Sequence, residues 1–227
     1  MIVDVVIPAF NEEGAIGKVL GDLPKNIVRN IIVVDNNSTD NTRFNAERGG
    51  AVVLYQSIQG YGASCLKGLE FLAQQEVKPD IVVFLDGDYS DYPRELPLLT
   101  APIESGHKDM VIGSRVLGKR ERFSLTAQQI IGNWIAVKML KILYGYSFTD
   151  LGPFRAIRYD DLLRLGMNDM NYGWTVEMQI KAVKMRLRCI EVPVSYKMRI
   201  GESKVSGTLK GSVIAGYKII ITLLKYV

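Results

Sequence analysis

The chain has 227 residues, of which 48% are hydrophobic and 23% charged, with a formal net charge of +4. That length and balance suit a globular protein with a real core, and they exclude a disordered chain or a collagen-like repeat. The charge is unevenly placed: residues 1–114 hold 9 Lys+Arg against 16 Asp+Glu, whereas residues 115–227 hold 19 against 8. An acidic half suits a cation site, and a basic half suits phosphates or an anionic lipid surface.

In chain order, "VDVVIPAF" (3–10) reads as a buried strand, and Ile16, Val19, Leu20 and Leu23 then recur at helical spacing. "IIVVD" (31–35) is a second strand, followed by a polar turn and a helix over 40–48. "AVVLY" (51–55) is a third, with a helix over 63–75 behind a glycine-rich turn. "IVVFLD" (81–86) and "DMVIGS" (109–114) are the fourth and fifth strands. Near-continuous Val/Ile runs separated by helices predict an α/β fold with a mostly parallel central sheet covered on both faces. The second half begins with a basic loop (115–125) and a long apolar helix over 126–144. A short strand is expected within "TDLGPFRAIR", a helix in "TVEMQIKAVKM" and a strand in "CIEVPVSY". The chain continues through a basic loop, "KMRIGESKVSGT", into an apolar helix over 209–227.

Ligands of such sheets bind beyond the carboxyl ends of the strands. That rule selects "PAFNEE", "DNNSTDNT", "QGYGAS" and "DGDYSD", which follow the first four strands. No GxGxxG follows the first strand and no GxxxxGK[ST] occurs, so neither a dehydrogenase nor a P-loop enzyme is indicated. Asp86, Asp88 and Asp91 crowd one strand tip. One aspartate there would be a turn or cap residue, but three repel one another, and a bound Mg²⁺ or Mn²⁺ is the simplest compensation.

The basic residues are dispersed and accompany no nucleic-acid motif, so no nucleic-acid partner is expected. Cys65 and Cys189 lie in no CxxC pair and read as reduced, buried thiols of a cytoplasmic protein. No secretion signal is evident at the N-terminus.

Taken in order, "PAFNEE", "VVDNNSTDNT", "GYGAS", "DGDYSD", "GSR", "TDLGPFRAIR" and "RIGESKVSGT" resemble the family-two inverting glycosyltransferases. Within them the chain looks like the branch of dolichyl- and polyprenyl-phosphate mannosyl- and glucosyltransferases. The resemblance spans nearly the whole chain. It implies one GT-A catalytic domain over 1–227, with a nucleotide-sugar and metal half (1–114), an acceptor half (115–208) and a C-terminal helix (209–227). It also implies that Asp86 and Asp88 hold a divalent metal on the donor diphosphate, where it would stabilise the leaving group. Pro8, Phe10, Glu12, Val34, Asn36 and Gly87 match donor-binding positions. Relatives usually carry Asp at position 36. An Asn amide suits uracil N3–H and O4 better than guanine, so UDP is favoured over GDP, unless Asn36 merely forms the turn.

The implied acceptor is a polyprenyl phosphate. Its oxygen is already ionised at neutral pH, so cations rather than a strong base are needed. Arg115, Arg155, Arg199 and Lys204 match or neighbour positions used for phosphates, with Arg the natural fork for their oxygens. Asp150 matches a family acid near the sugar; it would bind sugar hydroxyls, orient Arg155 or act as base for a hydroxyl acceptor. Asp88, Asp150 and Arg115 are the catalytic candidates. "LTAQQIIGN" lacks an Arg that many relatives use for the acceptor phosphate, which leaves a hydroxyl acceptor on a soluble or cell-surface glycan as an alternative. A non-catalytic nucleotide-sugar-binding protein would leave the basic half without a purpose. A sugar-nucleotidyltransferase would want a glycine-rich basic loop where "AFNEEGAIG" stands.

No run of 18 uncharged apolar residues occurs. The helices over 126–144 and 209–227 combine an apolar body with lysines, as interfacial helices do, or else they pair with each other or with a second copy in a homo-oligomer. The expected location is cytoplasmic and peripheral, at the inner face of a membrane.

Overall fold

The computed structural model describes residues 1–201 and 209–227. Seven strands form one sheet: β1 (Val3–Ala9), β2 (Val28–Asp35), β3 (Val52–Tyr55), β4 (Ile81–Phe84), β5 (Met110–Ser114), β6 (Arg155–Arg158) and β7 (Cys189–Pro193). Their order across the sheet is β3-β2-β1-β4-β6-β5-β7. β1, β2, β3 and β4 run parallel, as do β5 and β7. β6 is inserted between β4 and β5 and runs antiparallel to both, with Arg155 opposite Phe84 on one side and Ile112 on the other.

Alternate residues of the buried strands serve two cores, as a sheet covered on both faces requires. On one face Val3, Val5, Ile7, Val33, Ile81 and Val83 pack against α1 (Ile16–Asp22), α2 (Thr42–Arg48) and α4 (Leu96–Glu104). On the other, Val6, Ile32, Val34, Val82, Phe84 and Ile112 meet α3 (Tyr61–Gln74), α5 (Ala127–Tyr144), α6 (Tyr159–Leu165), α7 (Trp174–Lys184) and α8 (Leu209–Lys225).

The strands fall where the apolar runs predict them, within three residues at each end. α4 and α6 are additions. The prolines of "LPLLTAPIE" disguise α4, whose Pro97 takes a tolerated place in the first turn while Pro102 lies inside the helix. α6 follows β6 with no turn residue between them, Tyr159 coming directly after Arg158, and stops at Gly166 in the left-handed conformation. Among the described residues no helix is long and apolar enough to cross a membrane.

Candidate active site

The carboxyl ends of β1, β2 and β4, with the N-terminus of α3, surround a cavity of about 300 Å³. Pro8, Phe10, Glu12, Asn36, Gly87, Asp86 and Asp88 line it, so most donor candidates come together. A second cavity of about 330 Å³ adjoins it and shares Tyr61, Asp86, Asp88, Tyr172 and Arg199. This one runs past Arg115 and Tyr196 to Gln128, Gly132 and Asn133 of α5 and Ala215, Gly216 and Ile219 of α8. The acidic strand tip therefore stands between two chambers.

Burial first, and then the neighbouring charge of Asp88, raise the Asp86 carboxyl to about 7. Its Oδ1 is sealed from solvent and has no hydrogen-bond partner among the described residues. Asp91 is likewise pushed well up, by burial and then by Asp86 and Asp88, and neither of its oxygens has such a partner. Asp88 accepts from the Ser90 amide at 2.9 Å and hydroxyl at 2.6 Å. An unpartnered carboxylate oxygen beside a second acid on a cavity wall fits a divalent cation, with Asp86 and Asp88 as the residues to hold it. Among the described residues no group of three or more His, Cys, Asp and Glu is arranged to hold a metal unaided. A cation there would draw its remaining ligands from phosphate and water.

The arginines divide into three kinds. Arg115 grips Asp150 through Nε at 2.8 Å and Nη2 at 2.7 Å, and its amide donates to the same carboxylate at 2.8 Å. Its guanidinium also lies 5.1 Å from the Tyr196 ring centroid, which fixes it on the wall of the second cavity. Arg199 reaches back from the 194–201 segment to Glu12 Oε1 at 3.0 Å and Asp88 Oδ2 at 3.3 Å.

Arg155 corrects an expectation. It is fully buried and lines neither cavity, and its guanidinium donates to the Thr175, Leu151 and Gly152 carbonyls. Burial holds it at about 10, below the ordinary arginine value. It braces the 149–154 loop from beneath and has no face for a phosphate. Asp150 does not orient Arg155, as one expectation had it; its side chain is spent on Arg115.

Two donor candidates also change meaning. Val34 is fully buried in the core, so its side chain reaches no base. The Asn36 amide donates to the Gln56 and Ile58 carbonyls at 2.9 and 2.8 Å, and its Oδ1 accepts from the Gly60 amide at 2.8 Å. It staples the 56–60 loop, which removes the donor–acceptor pair assigned to uracil. Lys204 lies outside the described residues.

Tyr61 and Tyr172, shared by both cavities, escape sequence reasoning. "GYGAS" marks a ligand loop without saying which side chain enters it, and nothing around Tyr172 forms a motif. Their placement rests on Gly60 and Gly62. A Cβ at Gly60 would stand 2.0 Å from the Met170 carbonyl oxygen, and one at Gly62 would stand 1.9 Å from that of Asp169. Only glycine lets the α3 N-terminus close on residues 169–171, where the Ala63 amide donates to the Met170 carbonyl at 2.9 Å.

Residues 4–166 match the family model described as Glycosyl transferase family 2. An uncharacterised glycosyltransferase of Mycobacterium tuberculosis is 36% identical over 216 residues, 94% of each chain. The undecaprenyl-phosphate mannosyltransferase of Micrococcus luteus is 29% identical, covering 94% of this chain and 91% of its own. Among solved structures, glucosyl-3-phosphoglycerate synthase of M. tuberculosis, in complex with Mn²⁺, UDP-glucose and phosphoglyceric acid, superposes with a TM-score of 0.78. It is 23% identical, over 99% of this chain and 79% of the synthase. The likeness is one of fold, the GT-A type.

Proposed function

We propose, from the premise that this chain belongs to glycosyl transferase family 2 and is a glycosyltransferase, that it moves a hexose from a nucleotide sugar to a polyprenyl phosphate at a membrane surface. The donor's nucleotide occupies the cavity lined by Phe10 and Asn36, and its diphosphate lies toward Asp86 and Asp88. A divalent cation held by those two aspartates would supply Lewis-acid stabilisation of the departing diphosphate. A UDP-linked donor is the first to test, since the synthase that shares this fold was solved with UDP-glucose.

The observation that carries the acceptor assignment is the commitment of Asp150. Its carboxylate is 1% exposed and doubly bonded to Arg115, so it is poorly placed to take a proton from a hydroxyl. An acceptor that arrives ionised needs no base, only a cation beside it. Arg115 offers that cation on the wall of the second cavity, whose far end runs between α5 and α8.

The outward sides of those helices suit an apolar acceptor. Ile130, Ile131, Trp134 and Ile142 of α5 and Ile214, Tyr217, Ile221 and Leu224 of α8 are exposed, with Trp134 at 60% and Tyr217 at 62%. Lys138, Lys141, Lys218 and Lys225 stand among them, and neither helix carries an acidic residue. An exposed apolar face with aromatics, lysines and no acids matches an anionic bilayer surface.

The test is product release from UDP-glucose, UDP-N-acetylglucosamine and GDP-mannose, each offered a short isoprenyl phosphate, the matching isoprenol and phosphoglyceric acid. Transfer to the isoprenyl phosphate is expected. Preference for the alcohol or phosphoglyceric acid, with Asp150→Asn dead, would replace the lipid phosphate by a hydroxyl acceptor.

A further inference from the structure

Arg199 differs from the other two arginines of the site in how it is held. Arg115 and Arg155 are locked by two-pronged or multiple hydrogen bonds. Arg199 reaches two carboxylates with one nitrogen each, at 3.0 and 3.3 Å. Its buried Nε has no partner among the described residues, and the side chain stays 28% exposed. The guanidinium is thus held by charge, without a saturated set of hydrogen bonds. It lies against Asp88 Oδ2, the carboxylate oxygen that Ser90 does not bind, and forms part of the wall of both chambers.

The backbone that carries Arg199 is anchored on each side. The Lys197 amide donates to the Ser90 carbonyl at 2.9 Å, and the Ile200 amide donates to the Asp88 carbonyl at 3.0 Å. The Lys197 ammonium stands 3.1 Å from the Tyr89 ring centroid and 4.4 Å from that of Tyr92. The segment is strapped to the acidic turn, so the Arg199 head group can leave Asp88 by side-chain rotation alone.

We infer that Arg199 is the built-in counter-cation of Asp88 and Glu12, and that it excludes a free divalent cation until a nucleotide diphosphate arrives to receive it. This rests on the metal-and-donor reading given above. A free cation approaching Asp88 meets a like charge within ion-pair distance and must displace it with nothing gained in exchange. A diphosphate brings oxygens that a guanidinium grips bidentately, so the displaced Arg199 acquires a new partner. Metal and nucleotide are therefore coupled through one side chain, each binding better in the presence of the other. The site takes the cation–nucleotide complex as its ligand and rejects the bare cation.

The experiment is titration of the whole protein with Mn²⁺, following free Mn²⁺ by electron paramagnetic resonance, without nucleotide and with UDP or GDP. The unmodified protein should bind Mn²⁺ weakly alone and at least tenfold more tightly with its preferred nucleotide. Arg199→Gln should reverse part of that pattern: roughly tenfold tighter Mn²⁺ binding alone and a smaller gain from nucleotide. Arg199→Lys, which keeps the charge but not the fork, should fall between and guards against a glutamine variant that folds poorly. Unchanged or weaker binding of Mn²⁺ alone in a folded Arg199→Gln protein, with coupling intact, overturns the inference and leaves the metal reading standing. Failure of the unmodified protein to bind Mn²⁺ with either nucleotide would remove both.

Discussion

Asp150 and Arg115 are held in one arrangement by three donors on one carboxylate, and the pair separates binding from transfer. Arg115 borders the second cavity and not the first. Asp150→Asn keeps the shape but removes the charge that fixes the guanidinium. Hydrogen bonds to charged groups are worth about 1.5–3 kcal/mol, so transfer should fall roughly tenfold to a hundredfold. Calorimetry with UDP should show unchanged affinity; a parallel loss of nucleotide binding would mean that the pair only supports the fold. Asn36→Asp makes the opposite demand. Aspartate can still accept from the Gly60 amide, but it cannot donate to the Gln56 and Ile58 carbonyls and sets a charge against them. UDP and GDP should both bind more weakly with their ratio unchanged, as paired calorimetric titrations would show. A shifted ratio would restore Asn36 to base recognition. Position 36 shows what a motif conveys: the loop was legible as a ligand loop, whereas the use of its side chain was not, because its partners lie 20 to 24 residues away in another loop.

Among the elements, the N-terminus of α3 bears on both chambers at once. Gly62→Ala would drive a methyl into the Asp169 carbonyl, with its nearest approach at 1.9 Å, and neither side of that contact is a flexible side-chain tip. Overpacking of this kind costs about 1–3 kcal/mol. The variant should melt at a lower temperature and bind UDP more weakly, because Tyr61 and Tyr172 move apart. Full donor affinity with normal thermal stability would show that the close approach is not needed. The strands were legible because continuous apolar runs between turn signals leave few alternatives. Strand direction was not: the four residues of β6 carry no mark of running against their neighbours, since direction is set by the connections and not by the residues. The Arg155 assignment failed for a related reason. "GPFRAIR" displays an arginine on entry to a strand, and only the packing of α7 beneath it decides that its donors turn inward to Thr175.

At the scale of the whole molecule, the acidic and basic halves belong to one sheet with two cores, and aspartates of the first half and arginines of the second line adjoining chambers. The acid cluster stands where the chambers meet, and the lysines stand on the outer faces of α5 and α8. If those faces meet lipid, the protein should float with vesicles containing anionic lipid and stay behind with neutral ones. Each lysine near such a surface is worth about 1 kcal/mol. Lys138→Glu with Lys141→Glu should therefore weaken flotation more than tenfold and leave soluble donor hydrolysis intact. Trp134→Ser should weaken it too. Concentration-dependent sedimentation as a dimer, abolished by Trp134→Ser, with no flotation, would assign the same face to a second copy.

The reversed strand β6 has a geometric consequence of its own. Parallel strands deliver their outgoing loops to one edge of a sheet, so a site built from them alone is furnished by chain that is leaving. β6 delivers its incoming loop to that edge, because Arg155, its first residue, pairs beside Phe84, the last residue of β4. Chain arriving from α5 thus meets chain departing from β4 and β5, and Asp150 enters from a direction no parallel strand could supply. The same insertion holds the tips of β4 and β5 two strand spacings apart, roughly 10 Å. The spacing between the acids that follow β4 and the arginine that follows β5 is thereby set by a backbone ladder, whichever side chains line the gap.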